Sequence, residues 1–207
     1  MNSGILFIVS APSGAGKTSL LKALLESQRK GISQRTLSVS HTTRQSRPGE
    51  VNGEHYHFVT VEQFQQMAGE KAFLESAQVF DNYYGTAEAS VRQQLDTGQD
   101  VILEIDWQGA RQVRERFSDA VSIFVVPPSV EALRERLSSR GQDSDEIIER
   151  RMADALSEMS HYDEYDFIVV NDLFEQGVAD LEAVMRVQRL TLKRQQPLIP
   201  SQLKAGV

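Results

Sequence analysis

Short runs of apolar residues alternate along the chain with longer stretches in which apolar positions recur every three or four residues. Continuous apolar runs are typical of parallel strands buried on both faces, and the longer spacing is typical of amphipathic helices. Strands are predicted at residues 5–10, 36–40, 101–106, 121–126 and 167–170. Helices are predicted near residues 17–28, 86–97, 107–116, 129–139, 143–160 and 175–194. The alternation predicts an α/β fold, a three-layer parallel sheet with helices on both faces.

Two stretches interrupt this alternation. Residues 41–85 are polar, basic and aromatic, and we interpret them as an inserted lobe with short antiparallel strands. Residues 134–151 carry several arginines around a glycine turn, which predicts a mobile helical lid. The predicted organisation is a domain of residues 4–190, with a core (4–40, 86–132 and 153–190), a lobe (41–85) and a lid (133–152), then a polar tail (191–207).

A glycine-rich segment joins the first predicted strand to the first predicted helix. Its residues are Ala11, Pro12, Ser13, Gly14, Ala15, Gly16, Lys17 and Thr18. This is the context of a phosphate-binding P-loop, in which backbone N–H groups and a helix N-terminus face an anion. Lys17 can reach the β- and γ-phosphates of a nucleotide, and the Thr18 hydroxyl can ligate Mg²⁺. The first position is usually glycine, so the loop tolerates Ala11 provided that this residue avoids positive φ.

Composition narrows the class of protein. The net charge of −7 argues against sequence-independent binding to a nucleic-acid backbone. No apolar run approaches the ~20 residues of a membrane helix, and the first residues lack the pattern of a secretory signal. The chain has no cysteine. We therefore expect a cytoplasmic protein without nucleic-acid or membrane partners, and the sequence leaves open whether it forms a homo-oligomer.

Several further motifs follow the P-loop in order. They are Ser40 with Arg44, Arg47-Pro48-Gly49-Glu50 and Tyr56, then Phe73-Leu74-Glu75, Asn82-Tyr83-Tyr84-Gly85-Thr86, and Ile105-Asp106-Trp107-Gln108-Gly109. Together they resemble the guanylate kinase family, in particular its bacterial members, over almost the whole chain. The resemblance implies an enzyme of purine nucleotide recycling that transfers the γ-phosphoryl group of ATP to GMP, with Mg²⁺ bound alongside ATP.

The resemblance also implies which side chains bind GMP. Those expected to hold its phosphate are Arg44, Arg47, Tyr56 and Tyr84. Guanidinium groups pair with phosphate oxygens in bidentate geometry, and phenol hydroxyls add neutral donors. Those expected to contact guanine are Ser40, Glu75, Thr86 and Asp106.

Glu75 has a specific chemical role in this interpretation. The Watson–Crick edge of guanine presents two adjacent donors, N1–H and the N2 amino group, which a carboxylate can accept together. Adenine presents an acceptor at N1 instead, so it would face the carboxylate with a lone pair. Because a site built on polar pairing rejects the wrong partner strongly, we expect Glu75 to select guanine over adenine.

Glu104 and Asp106 lie two positions apart at the end of a predicted strand. Their side chains therefore point to one face at the carboxyl edge of the sheet, where ligands of open α/β folds bind. By resemblance, Glu104 helps Thr18 to hold Mg²⁺, directly or through water, and Asp106 contacts the base. The family commonly has aspartate at the first position, so Glu104 departs from its pattern. The alternative is a pair of solvated carboxylates.

The basic side chains complete the predicted ATP site. Phosphoryl transfer is catalysed mostly by positioning and by stabilising negative charge. The residues predicted to surround the transferring group are Lys17, Arg44, Arg140 and Arg151. Arg136 resembles a family position that packs against adenine, and Asn171 resembles one near adenine, although an Asx turn accounts for Asn171 equally well. Arg134 and Arg150 are more typical of a solvated helix face.

The remaining candidates have structural interpretations. The histidines show no zinc-binding spacing, and Trp107 is predicted to lie in the core. Two other functions compete with the kinase. A P-loop GTPase switch would use Asp106 and Gly109 as its Asp-x-x-Gly motif, but no Asn in this chain is followed by Lys, as a GTPase guanine reader requires. A peptide-binding module of guanylate-kinase type would have lost its ATP site.

Overall fold

The computed structural model describes residues 3–27, 34–79, 81–139 and 145–200. The strands in these ranges are β1 (Leu6–Ser10), β2 (Arg35–Leu37), β3 (His41–Thr42), β4 (His57–Phe58), β5 (Phe73–Val79), β6 (Asn82–Ala87), β7 (Asp100–Glu104), β8 (Val121–Val126) and β9 (Phe167–Val170). The helices are α1 (Lys17–Glu26), α2 (Val61–Gly69), α3 (Glu88–Asp96), α4 (Trp107–Arg116), α5 (Val130–Ser138), α6 (Asp145–Met159), α7 (Phe174–Arg189) and α8 (Leu192–Gln195). Short 3₁₀ turns cover Tyr162–Glu164 and Gln196–Leu198.

A five-stranded parallel sheet in the order β2-β7-β1-β8-β9 forms the core, as the apolar runs predict. One face packs against α1 and α7 through residues such as Leu20, Leu24 and Leu181. The other face packs against α3 and α4 through residues such as Val91 and Val113. The three-layer α/β architecture is thus confirmed. Because the strands run parallel, the segments that follow β1, β7 and β9 meet at one edge.

The inserted lobe is a second, four-stranded sheet in the order β4-β3-β6-β5. The prediction of antiparallel strands is correct for the β3–β6 and β5–β6 pairs and wrong for β3–β4, which run parallel. The lobe also contains α2, which was not predicted. Its capping box, in which Thr60 and Gln63 satisfy each other's backbone N–H groups, was a readable signal for a helix start.

Several predicted boundaries are wrong, and the strand predicted at 101–106 ends at Glu104, so Asp106 lies beyond it as the N-cap of α4. The strand predicted at 36–40 ends at Leu37, and the helix predicted at 175–194 ends at Arg189. The helix predicted at 86–97 begins at Glu88, because Thr86 and Ala87 pair with β5. None of the helices in the described ranges combines the length and apolar character needed to span a bilayer.

Helices α5 and α6, which include most of the predicted lid (133–152), pack against each other around a small apolar cluster of their own. Its buried members are Leu133, Leu137, Met152 and Ala155. The predicted lid residue Arg140 lies outside the described residues. The α5–α6 pair is therefore a unit with a separate core beside the sheet.

Candidate active site

The P-loop has the backbone that its sequence predicts. Gly14 and Gly16 have φ of 88° and 91°, values that favour glycine. A Cβ at Gly16 would lie 2.4 Å from Asn171 Nδ2. Among the described residues Lys71 is the one non-glycine with positive φ, so Ala11 meets the condition set by the missing first glycine.

Two side chains from other elements contact the P-loop at the carbonyl oxygen of Ala15, those of Asn171 and Arg136. The buried Asn171 side chain donates a 2.7 Å hydrogen bond from Nδ2 to the carbonyl oxygen of Ala15. Arg136 donates from Nη2 to the carbonyl oxygen of Asn171, at 2.9 Å, and its Nη1 lies 3.5 Å from that of Ala15. Both side chains predicted to lie near adenine thus contact the loop that precedes α1.

The side chains predicted for phosphate and metal binding converge at the carboxyl end of β7. The Thr18 hydroxyl donates to Glu104 Oε1 at 2.5 Å, and Lys17 Nζ lies 3.4 Å from the carbonyl oxygen of Ile105. A hydroxyl and a carboxylate are hard oxygen donors of the kind that Mg²⁺ prefers. The pair could therefore contribute ligands to a magnesium ion. Among the described residues, no group of three or more His, Asp or Glu side chains forms a metal cluster.

Helix α6 contacts the P-loop at Ser13. Arg151 Nη2 lies 3.5 Å from Ser13 Oγ, which places this predicted catalytic arginine beside the loop. The Ser13 backbone N–H donates to Glu158 Oε2 at 3.0 Å. Burial raises the pKa of the Glu158 carboxyl, and the Ser13 N–H and Lys17 partly offset this rise. Sequence reasoning missed Glu158, since no motif includes it.

Glu75 lies in β5 of the lobe and is 4% exposed. The Thr86 hydroxyl donates to Glu75 Oε1 at 2.6 Å, and Ser40 Oγ lies 3.1 Å from Thr86 Oγ1. Burial raises the pKa of Glu75 to about 7, and the negative charge of Asp106 adds to the rise. Three of the four side chains predicted to contact guanine therefore lie together, namely those of Ser40, Glu75 and Thr86.

Asp106 joins this group from the core and also caps a helix. Its Oδ1 accepts a 2.8 Å hydrogen bond from the backbone N–H of Gly109, so it begins α4. A Cβ at Gly109 would lie 2.8 Å from Glu75 Oε2. The Gly that follows Asp106 by three positions thus lets α4 approach the buried carboxyl.

The residues predicted to hold the GMP phosphate form a basic and phenolic cluster in the lobe. Arg44 Nη2 contacts Glu50 Oε1 at 2.8 Å, and its guanidinium lies 5.5 Å from the Tyr56 ring centre. Tyr56 and Tyr84 are 6.0 Å apart, ring centre to ring centre. The hydrogen bond from Arg44 lowers the pKa of Glu50 to about 2. The cluster already holds one carboxylate anion.

Arg47 contacts this cluster through its backbone. Its N–H donates to Glu50 Oε2 at 2.7 Å, while its side chain is exposed.

Trp107, predicted to lie in the core, is half-buried instead and stacks on His161 at 3.8 Å between ring centres. That prediction is wrong because the first residue of α4 faces the 3₁₀ turn that follows α6.

Comparisons with known proteins agree with the motifs. A family model described as guanylate kinase matches residues 3–188. A guanylate kinase of Alkalilimnicola ehrlichii is 57% identical over 201 residues, which cover 97% of each chain. A guanylate kinase of Shewanella frigidimarina is 55% identical over 193 residues, or 93% of this chain and 92% of that one.

A solved structure is similar as well. The crystal structure of a guanylate kinase from Anaplasma phagocytophilum superimposes with a TM-score of 0.74 at 31% identity. The match covers 94% of this chain and 90% of that chain.

Proposed function

The chain belongs to the guanylate kinase family of phosphotransferases, and we propose that its two half-sites bind ATP and GMP on either side of the end of β7. One observation carries this assignment. Glu104 contacts Thr18 of the P-loop, and Asp106, two residues later, lies close enough to Glu75 to raise its pKa. A single strand end therefore supports both halves, so a donor phosphate and an acceptor phosphate can meet there.

The donor half consists of the P-loop residues 11–18 with Arg136 and Asn171 behind them. Backbone N–H groups and the positive end of α1 bind phosphate oxygens, and Lys17 neutralises charge on them. Thr18 and Glu104 would hold Mg²⁺ with the ATP phosphates. The ion, when bound, draws negative charge from the phosphoryl group that is transferred.

The acceptor half reads the base and holds the phosphate. Ionised Glu75 accepts from N1–H and N2–H of guanine, while Ser40, Thr86 and Asp106 fix its position. Arg44, Arg47, Tyr56 and Tyr84 bind the GMP phosphate, and Arg44 leaves Glu50 in part to do so. The acceptor oxygen then lies in line with the γ-phosphoryl group, which passes directly without a covalent enzyme intermediate.

Closure of the lobe (41–85) and the lid (133–152) over the core excludes water, which would otherwise accept the phosphoryl group and waste ATP. Arg140 and Arg151 are brought to the transferring group by this closure. Small-angle scattering tests the movement, since the radius of gyration should fall when both nucleotides, or an inhibitor that joins them, are bound.

Coupled detection of ADP release tests the proposed function. We expect release to require ATP, GMP and Mg²⁺ together, and AMP to replace GMP poorly. Hydrolysis of GTP without an acceptor would support a switch instead. Absence of turnover, with binding of peptides to the lobe, would support a non-catalytic module.

A further inference from the structure

Helix α6 contacts the P-loop at both the backbone and the side chain of one residue. Glu158 accepts from the Ser13 N–H at 3.0 Å, and Arg151 lies 3.5 Å from the Ser13 hydroxyl. Glu158 and Arg151 are seven positions apart, which is two helical turns, so they occupy one face of α6. That face is therefore built to contact Ser13.

The next P-loop residue contacts the partner helix of α6. A Cβ at Gly14 would lie 2.9 to 3.1 Å from the side chains of Leu133 and Leu137 of α5. These two leucines belong to the separate apolar cluster that joins α5 to α6. Ser13 and Gly14 therefore both contact the α5–α6 unit. A displacement of that unit would change the position of the loop.

The carboxyl-terminal end of α6 is tied to the core by side-chain contacts. His161 stacks on Trp107 at 3.8 Å with an interplanar angle of 14°, and its Nδ1 lies 2.7 Å from Glu164 Oε1. Glu164 in turn pairs with Arg111 of α4 at 2.5 Å. Glu158 lies one turn before this anchor, whereas Arg151 lies two turns further away.

We propose that Glu158 is a positioning residue for ATP: its carboxylate holds the Ser13 N–H from the anchored end of α6 and so keeps the P-loop in its phosphate-binding conformation. The inference rests on the proposed function, in which this loop binds ATP. Arg151 can leave the Ser13 hydroxyl for the γ-phosphate when the lid closes, while Glu158 keeps its hydrogen bond.

Three variants of Glu158 separate its hydrogen bond to the Ser13 N–H from its negative charge. Glu158→Gln keeps an oxygen that accepts the Ser13 N–H and removes the charge. Glu158→Asp keeps the charge and withdraws the oxygen by one methylene, and Glu158→Ala removes both. Glu149→Ala is the matched control, because Glu149 lies on the same helix in an exposed pair with Arg134.

Calorimetric titration of each variant with Mg·ATP alone, and with GMP alone, gives the readout. We expect the Kd for ATP to rise about tenfold in Glu158→Ala and Glu158→Asp, the effect of losing one hydrogen bond to a charged group. It should rise less than about threefold in Glu158→Gln and be unchanged in Glu149→Ala. The Kd for GMP should be unchanged throughout.

Other results overturn the proposal. A Glu158→Asp variant that binds ATP better than Glu158→Gln would show that charge matters and the hydrogen bond does not. A lowered Tm with an unchanged Kd for ATP would show a purely structural role, as would equal losses for ATP and GMP. If Glu158→Ala does not fold, the Asp and Gln pair still decides. Failure of the wild-type protein to bind ATP would instead refute the proposed function.

Discussion

The Glu75 carboxylate accepts a 2.6 Å hydrogen bond from the Thr86 hydroxyl in a place where both residues are almost fully buried, at 4% and 0% exposed. Because the Thr86 hydroxyl donates to Glu75, it accepts from Ser40 Oγ at 3.1 Å. The second oxygen of Glu75 faces Gly109, which offers no side-chain donor. A carboxyl this deeply buried is costly to ionise without a ligand and well suited to one with two adjacent N–H groups.

The first prediction concerns the choice of base. Glu75→Gln should lower kcat/KM for GMP by at least about 100-fold, because the amide presents an N–H to a guanine donor. The Kd for ATP should stay unchanged, since Glu75 lies in the acceptor half. Steady-state kinetics with GMP and AMP measure the effect, with the exposed Glu115→Gln as control. Unchanged efficiency with GMP would refute the assignment.

The second prediction is a pH dependence of stability. Glu75 has a pKa of about 7 in the folded protein against 4.5 ordinarily. Between pH 4.5 and 7 the Glu75 carboxyl is ionised in the unfolded chain but still protonated in the folded protein. The free energy of unfolding of the ligand-free protein therefore falls as pH rises through this range. The loss is complete above pH 7 and amounts to roughly 3 kcal/mol.

Urea unfolding of the wild-type protein and Glu75→Gln at pH 5 and pH 8 checks this. The variant should gain stability relative to the wild type at the higher pH, although it binds GMP worse. A difference between the two proteins that does not change with pH would mean that Glu75 titrates normally in the folded state.

The core of the fold was predictable because its strands are buried on both faces, and such runs as 121–126 carry that burial in their composition. The structure of the lobe was harder to predict from the sequence. Its strands β3 and β4 have two residues each, too few to show a period, and they pair in parallel across 16 positions of sequence, His41 with His57. Thr60 and Gln63 did mark α2, but the mixed composition around them concealed it.

The residues of the candidate site also fall into a predictable and an unpredictable group. Some site residues belong to motifs whose spacing indicates their chemistry, namely Lys17, Thr18 and Glu75. In the structure they lie near the segment from Glu104 to Asp106, at the carboxyl end of β7. Glu158 contacts Ser13 across 145 residues of sequence, so nothing local distinguishes it from the other acidic residues of α6. Trp107 was misassigned because its stacking partner, His161, comes from a distant turn. Contacts between elements decide such positions.

The third prediction concerns the metal. Glu104→Ala should raise the Mg²⁺ concentration for half-maximal activity about tenfold, because it removes one oxygen donor and leaves the Thr18 hydroxyl without its 2.5 Å partner. Titration of activity with Mg²⁺ at fixed ATP and GMP measures this. Glu104→Asp restores a carboxylate and should recover most of the affinity. An unchanged Mg²⁺ requirement in Glu104→Ala would place the carboxylate outside the metal's surroundings.

The last prediction concerns the lid. Arg151 Nη2 lies 3.5 Å from the hydroxyl of Ser13, the residue before Gly14. In the proposed closure of the lid, its guanidinium moves from there to the γ-phosphoryl group. Charge develops on that group as it leaves ADP, so Arg151→Ala should lower kcat by at least about 100-fold. The KM for GMP should change less than about threefold, since GMP binds in the other half. Steady-state kinetics separate the two constants.

Arg134→Ala is the control for this variant, because Arg134 pairs with Glu149 on the exposed surface of the same α5–α6 unit. Exposed pairs contribute little, so its kcat should match the wild type. Arg140→Ala should resemble Arg151→Ala if both arginines surround the transferring group. A raised KM with an unchanged kcat in Arg151→Ala would mean that the side chain binds the ground state alone, because only an interaction that strengthens in the transition state raises kcat.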